Sequence, residues 1–288
     1  MRPGRWGSAP APTHRSAMTA PDLHIHTDFS CDCQTSMAEM CRAAITVGLS
    51  EIGFSDHYDL IPQDPCFDFF RAEAWWEELE RCRAEFGPTL TIRAGVELGE
   101  PHRFPKEIAA LLSAFPWDYS LGSLHWVGEE LIFREEYFRR SPDLAFREYF
   151  HELDRMAAEA EFDILAHLDV IKRLGFEQYG FYDPASYEEE IRRVLHTCAQ
   201  RGRALEINTS PLRRSVNQTA PEPPALTWFA EEGGRWITFG SDAHQPEHIG
   251  HALELVTSAA RQAGYESLAT FEARRVKLHQ PASGSPAG

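Results

Sequence analysis

The chain has 288 residues, 43% hydrophobic and 25% charged, which suits a globular protein with a substantial core in one or two domains. Its net charge of -16 at pH 7 argues against nucleic acid or an anionic membrane as the main partner, because phosphate backbones want a basic surface. No stretch approaches the ~20 apolar residues of a membrane helix, and the Arg-bearing start has no apolar run, so a cytoplasmic protein is expected.

Residues 1–20, rich in Pro, Ala, Ser and Arg, read as a disordered extension, with Met18 an alternative translation start. Residues 280–288 read as a flexible tail, which leaves 21–279 as one domain. Within it, short apolar runs alternate with helical stretches. The runs are Asp22–His26, Glu51–Ser55, Leu90–Leu98, Tyr119–Ser123, Asp163–Ala166, Ala204–Asn208 and Trp236–Gly240. Ser36 and Glu39 form a capping box that opens a helix over Met37–Val47, and Gly48 is placed to end it. Further helices are predicted near 71–86, 104–114, 143–160, 184–200, 223–233 and 247–263, the fourth of these starting on Asp183-Pro184. Residues 141–147 fall in a long connection with no evident role. Seven strands alternating with helices predict a parallel α/β sheet, and a closed barrel is favoured over two small sheets.

The six cysteines lack paired C-x-x-C spacing, so reduced thiols are expected, with Cys33 near enough to the first strand to reach a metal.

The chemistry sits at the C-terminal ends of the runs. In chain order they carry His24 and His26, Asp56-His57, Glu97, His125, His167, Glu206 and Asn208, then Asp242 and His244. In a parallel barrel these ends share one face. Six of the thirteen histidines lie there, far more than scattered loop polarity explains. His24 and His26 are two apart on a strand and therefore face the same way, as chelation requires. Mixed imidazole and carboxylate ligands suit zinc, iron or manganese better than calcium or magnesium. Asp32, shortly after the first strand, is a further candidate ligand. Asp56 reads as a supporting or turn residue. The remaining histidines read as surface or packing residues, His102 and His248 being the least settled.

The series Asp22-Leu23-His24-Ile25-His26-Thr27, Ser55-Asp56-His57, Gly95-Val96-Glu97, Ser123-Leu124-His125, Ala166-His167 and Gly240-Ser241-Asp242-Ala243-His244 resembles the successive motifs of the polymerase-and-histidinol-phosphatase (PHP) superfamily. The match runs over about residues 22–265. The resemblance implies a distorted seven-stranded (β/α)7 PHP-type barrel with two to three divalent metal ions (Zn, Fe or Mn). The implied ligands are His24, His26, Asp32, His57, Glu97, His125, His167, Asp242 and His244, with Glu97 bridging two metals. The segments His167–Arg173, Glu206–Arg213 and Ser241–Gly250 look most like the histidinol-phosphate phosphatase branch, which implies a step of histidine biosynthesis. Cys31-Asp32-Cys33 in the first loop and Pro211 in the sixth motif depart from the pattern.

These readings predict hydrolysis of a small phosphorylated metabolite by metal-activated water, without a covalent phosphoenzyme. Glu97, Asp242 and His244 are the expected catalytic groups. Lys172, Arg173 and Arg213 are candidates for clamping the phosphate, as planar guanidinium forks suit its oxygens. Glu206 and Asn208 would orient an arginine or touch the substrate's polar head. An acidic or amide group near the mouth would suit the amine and imidazole of L-histidinol phosphate. The competing readings are a PHP phosphoesterase of other specificity (nucleotide, sugar phosphate or a small nuclease), a non-catalytic metal-binding scaffold, and an amidohydrolase on a similar barrel.

Overall fold

A computed structural model describes residues 20–279; the expectations for 1–19, including a start at Met18, and for 280–288 lie outside the described residues. The chain forms β1 (Asp22–Ile25), α1 (Met37–Val47), β2 (Glu51–Phe54), β3 (His57–Tyr58), α2 (Ala72–Phe86), β4 (Thr91–Ala94), β5 (Glu97–Gly99) and α3 (Pro105–Ala114). It continues with β6 (Leu121–Ser123), β7 (Trp126–Val127), β8 (Glu130–Leu131), α4 (Pro142–Glu159), β9 (Ile164–Leu165), α5 (Lys172–Tyr179) and α6 (Glu188–Gln200). Last come β10 (Ala204–Asn208), α7 (Pro223–Glu231), β11 (Ile237–Gly240), α8 (Leu253–Gln262), β12 (Leu268–Glu272) and β13 (Arg275–His279).

The fold is α/β. One parallel sheet has the order β1-β2-β4 and a second has the order β11-β10-β9-β6-β5-β3. Backbone bonds join them at the ends of β1 and β11: His26 N donates to Ala243 O at 2.9 Å, and Asp242 N donates to His24 O at 2.8 Å. The single expected strand over Leu90–Leu98 is instead two. Its partner breaks in step, because Asp56 turns inward between β2 and β3 and accepts bonds from Thr27, Ser30 and Trp75. The parallel pair β2/β4 thus gives way to β3/β5.

Local signals hold elsewhere. Ser36 and Glu39 form the reciprocal capping box of α1, and Gly48 ends the helix at φ +84°, a left-handed conformation that glycine adopts without strain. Residues 141–147, without a role in the sequence, are the cap and first turns of α4: the Ser141 hydroxyl accepts from Leu144 N. The predicted helix over 184–200 begins with a 3-10 turn at Pro184–Tyr187, and the one over 247–263 is a 3-10 turn at Pro246–His248 followed by α8. The α5 helix and the β12–β13 hairpin had no counterpart among the predicted elements.

Helices α1 and α2 bury Met37, Met40, Cys41, Trp75, Leu79 and Cys82 in the main core. A smaller cluster of Leu23, Tyr119, Leu121, Ile164, Ala204 and Phe271 packs strand residues against β12. Full burial of each large apolar side chain contributes roughly 1.5–3 kcal/mol. Among the described residues no helix is long and apolar enough to cross a membrane.

One cysteine expectation is corrected. Cys31 and Cys66 form a disulfide, because the loop after β1 and the segment after β3 meet with their Cα atoms 5.3 Å apart, inside the range a disulfide spans. Cys33, Cys41, Cys82 and Cys198 are free and buried. Cys33 donates its thiol to His244 O at 3.1 Å.

Candidate metal centre

Glu97, at the start of β5, is the hub of the site. Its Oε2 lies 3.3 Å from His24 Nε2, 3.5 Å from His26 Nε2 and 3.0 Å from His57 Nδ1. Its Oε1 lies 3.5 Å from His125 Nε2 and 3.0 Å from His167 Nε2. Ser123 donates its hydroxyl to Oε1 at 2.6 Å and fixes the carboxylate. Asp242 Oδ1 stands 3.4 Å from His26 Nε2 and 3.5 Å from His244 Nδ1. Asp32 Oδ2 closes the outer side at 3.1 Å from His244 Nε2 and 3.8 Å from His57 Nε2. All nine predicted ligands therefore converge. They do so because the parallel strands end together and β1 places His24 and His26 on one face.

The donor set fits divalent cations. His24 Nε2, His26 Nε2, His57 Nδ1, His167 Nδ1 and Glu97 Oε2 are buried without hydrogen-bond partners. An unsatisfied buried polar group costs roughly 1–3 kcal/mol, so this many in one place calls for a shared partner. Three groups, His24/Glu97/His167, His24/His26/Asp242 and His26/His57/His244, each bring ligand atoms within 4.8 Å of one another. Imidazole with carboxylate is the chemistry of zinc, iron and manganese sites.

The electrostatics agree. Burial pushes His26 and His125 down to about 3, which favours the neutral imidazole that ligates. Burial would also lower His24 and His57, but the surrounding carboxylates win. Glu206 and Glu97 hold His24 well above its usual range, and Glu97, Asp59 and Asp32 push His57 up to about 10. Glu97 and Asp242 face burial too, yet neighbouring imidazoles hold both well below the usual carboxylate range. The pocket attracts positive charge.

A supporting layer fixes the candidate ligands. Glu206 Oε1 lies 2.6 Å from His24 Nδ1, and its Oε2 accepts His167 N at 2.7 Å and Asn208 Nδ2 at 3.1 Å. Gly240 makes room for it, since a Cβ there would sit 2.0 Å from Glu206 Oε1. Asp22 accepts from Ser241 N at 2.9 Å and Gly250 N at 3.0 Å, tying β1 to the last motif. Asp56 holds the first loop, as a supporting residue should.

The cluster opens into a cavity of about 640 Å³. Arg173, Arg213 and Arg214 line one part of it, with Ser210, Gln245 and His248. Arg213 Nη2 donates to Ser241 O at 2.9 Å and Asp242 O at 3.1 Å, while its Nη1 is buried and unpartnered. The Arg173 guanidinium stacks over Phe133, 5.2 Å from the ring centre.

Three expectations for the substrate side are corrected. Lys172 is not on the cavity wall: it is fully buried, donating to Asp169 Oδ2 at 2.9 Å and Thr219 O at 2.6 Å. It begins α5, and there it points into the core while Arg173 faces the cavity. Glu206 and Asn208 are buried behind His24 and His167 and line no part of the cavity. The sequence reading missed Asp59, whose Oδ2 is 3.6 Å from His57 Nδ1 and whose Oδ1 is buried and unpartnered. Burial raises it to about 7. Its signal was its place two residues beyond His57 on the same strand edge. His248 does reach the cavity, whereas His102 is buried and pairs with Glu152 at 2.9 Å.

Comparison with known proteins agrees with this geometry. The histidinol-phosphatase of Lactococcus lactis is 29% identical over 262 residues, covering 88% of this chain and 95% of that protein. The histidinol-phosphatase of Bacillus subtilis is 27% identical over 268 residues, covering 81% of this chain and 96% of the relative. The crystal structure of the L. lactis histidinol phosphate phosphatase, complexed with zinc, L-histidinol and phosphate, superposes with a TM-score of 0.81 at 28% identity, over 90% of this chain and 99% of that one. The PHP domain family model matches residues 22–210, and the chain belongs to the PHP domain family.

Proposed function

We propose that the protein is a metal-dependent phosphomonoesterase that hydrolyses L-histidinol phosphate to L-histidinol and phosphate. The observation that carries this reading is the convergence of five histidines on Glu97 at the floor of a cavity whose wall presents unpaired guanidinium. The names of the relatives supply the substrate. Residues 21–279 act as one domain, its two sheets joined into a distorted barrel with the site at the C-terminal ends of the strands.

His24, His26, Asp32, His57, Glu97, His125, His167, Asp242 and His244 hold two to three divalent ions, zinc, iron or manganese. Such ions make hydroxide available near neutral pH and offset charge on phosphoryl oxygens. Glu97, on which five of the histidines converge, would be the central carboxylate of that set. Asp242, through a carboxylate oxygen not engaged with an ion, would accept the proton lost by the attacking water and return it to the leaving alkoxide, with His244 beside it on the cavity wall holding that carboxylate in place. Arg213 Nη1 and Arg173 bind the phosphate oxygens, and bonds from guanidinium to phosphate are charge-assisted and directional.

The test is phosphate release from L-histidinol phosphate beside a panel of other phosphomonoesters, with His26→Ala as the control. Preference for histidinol phosphate, lost in the variant, supports the reading. Activity spread evenly over the panel removes the histidinol phosphate assignment, and no release from any ester removes the phosphatase.

A further inference from the structure

The cavity has an anionic feature that the phosphate chemistry leaves unused. Five carboxylates line it: Asp32, Asp59, Asp64, Glu97 and Asp242. Four of them lie within 3.8 Å of a histidine of the cluster. Asp64 is different. Its Oδ2 accepts the Trp126 indole N–H at 2.7 Å, and its Oδ1 accepts Cys66 N at 2.7 Å. A carboxylate offers about four lone-pair sites, so two donors leave it further acceptor capacity.

Its position is set by covalent and polar ties. Asp64 belongs to the segment between β3 and α2, and Cys66 in that segment is bonded to Cys31. Cys31 adjoins Asp32, which reaches His244. The disulfide therefore fixes Asp64 relative to the metal centre, on a segment whose Phe67 and Phe69 stay exposed and add little packing of their own. The arginines come from elsewhere. Arg173 and Arg213 follow the neighbouring strands β9 and β10, whereas Asp64 follows β3, the far edge of the same sheet. Asp64 and the two arginines thus enter the cavity from separate sides.

We propose that Asp64 is a specificity-determining residue that receives the primary ammonium group of the substrate, so that the cavity selects phosphomonoesters bearing an amine on a short tail. This rests on the phosphatase reading above and deepens it. A polar site rejects an analogue lacking the matching group strongly, because its own charge is then left unpaired. A charge-assisted bond of this kind corresponds to about a 10–100-fold effect on binding.

The experiment compares kcat/KM for L-histidinol phosphate with that for propyl phosphate, whose tail is uncharged. Asp64→Asn keeps an acceptor for Trp126 and lowers this ratio about 10–100-fold, through KM for the cationic ester. Asp68→Asn, an exposed carboxylate on the same segment, leaves the ratio unchanged. The native protein gives a second reading that needs no variant: acetylating the amine of L-histidinol phosphate raises KM by a similar factor. An unchanged ratio in Asp64→Asn, an equal loss toward both esters, or an equal KM for the acetylated ester overturns the proposal. Failure of the phosphatase reading shows separately, in a native protein that hydrolyses neither ester or does not prefer histidinol phosphate.

Discussion

Glu206 reaches His24 Nδ1 at 2.6 Å from one oxygen while the other accepts the backbone N–H of His167 at 2.7 Å, so one buried carboxylate orients candidate ligands from two strands. Partners of this kind fix the tautomer of a ligating imidazole and typically contribute 10–100-fold in metal affinity. Glu206→Gln keeps the shape and removes the charge. Competition with a chromophoric chelator is expected to show metal affinity falling by about that factor. Unchanged affinity would reduce Glu206 to a packing residue.

Arg213 has one nitrogen committed to the carbonyls of Ser241 and Asp242 and one buried without a partner. Arg213→Ala is expected to lower kcat/KM about 10–100-fold, from the loss of a charge-assisted bond to phosphate. Inorganic phosphate should weaken as an inhibitor by a similar factor. Arg213→Lys should recover only part, since an ammonium cannot make the forked contact. Unaltered inhibition by phosphate in Arg213→Ala would remove it from the phosphate site.

Lys172 tests the opposite case. Its ammonium is buried against Asp169, which also accepts the Tyr182 hydroxyl at 3.1 Å. Lys172→Met strands the Asp169 charge, a loss of about 3–5 kcal/mol where a buried pair is broken. Urea unfolding should show that loss, while KM stays near the native value. A raised KM with native stability would return Lys172 to the phosphate site.

How far the site was legible depended on which link placed each residue. His24, His26, Glu97, His125, His167, Asp242 and His244 were readable because strand ends in a parallel sheet meet on one face, whatever the loops do. Lys172 and Arg173 were not separable, because adjacent helical positions face different ways and α5 itself was not foreseen. Glu206 shares its strand-end position with the ligands. Only the structure shows that His24 stands between it and the cavity. The strand break at Gly95-Val96 depends on the inward turn of Asp56, a contact made across the fold. The Cys31–Cys66 bond joins residues 35 apart that no local pattern relates.

That disulfide also predicts a stability effect. Closing a loop of this length restrains the unfolded chain, and such bonds typically contribute 2–4 kcal/mol. Cys66→Ser should lower the unfolding free energy by about that amount, and the native protein unfolded in a dithiol reductant should approach the variant. Identical urea curves with and without reductant would show that the bond does not stabilise the fold.

The central claim is that the histidine–carboxylate cluster around Glu97 holds divalent metal and that hydrolysis depends on it. The measurement is elemental analysis of protein purified without chelator, followed by metal titration of the chelator-stripped protein while phosphate release from L-histidinol phosphate is recorded. The account predicts two to three equivalents per chain, loss of activity on stripping, recovery on titration, and a reduced metal content in His26→Ala. Protein that carries no metal, or that hydrolyses the ester undiminished after stripping, would contradict it.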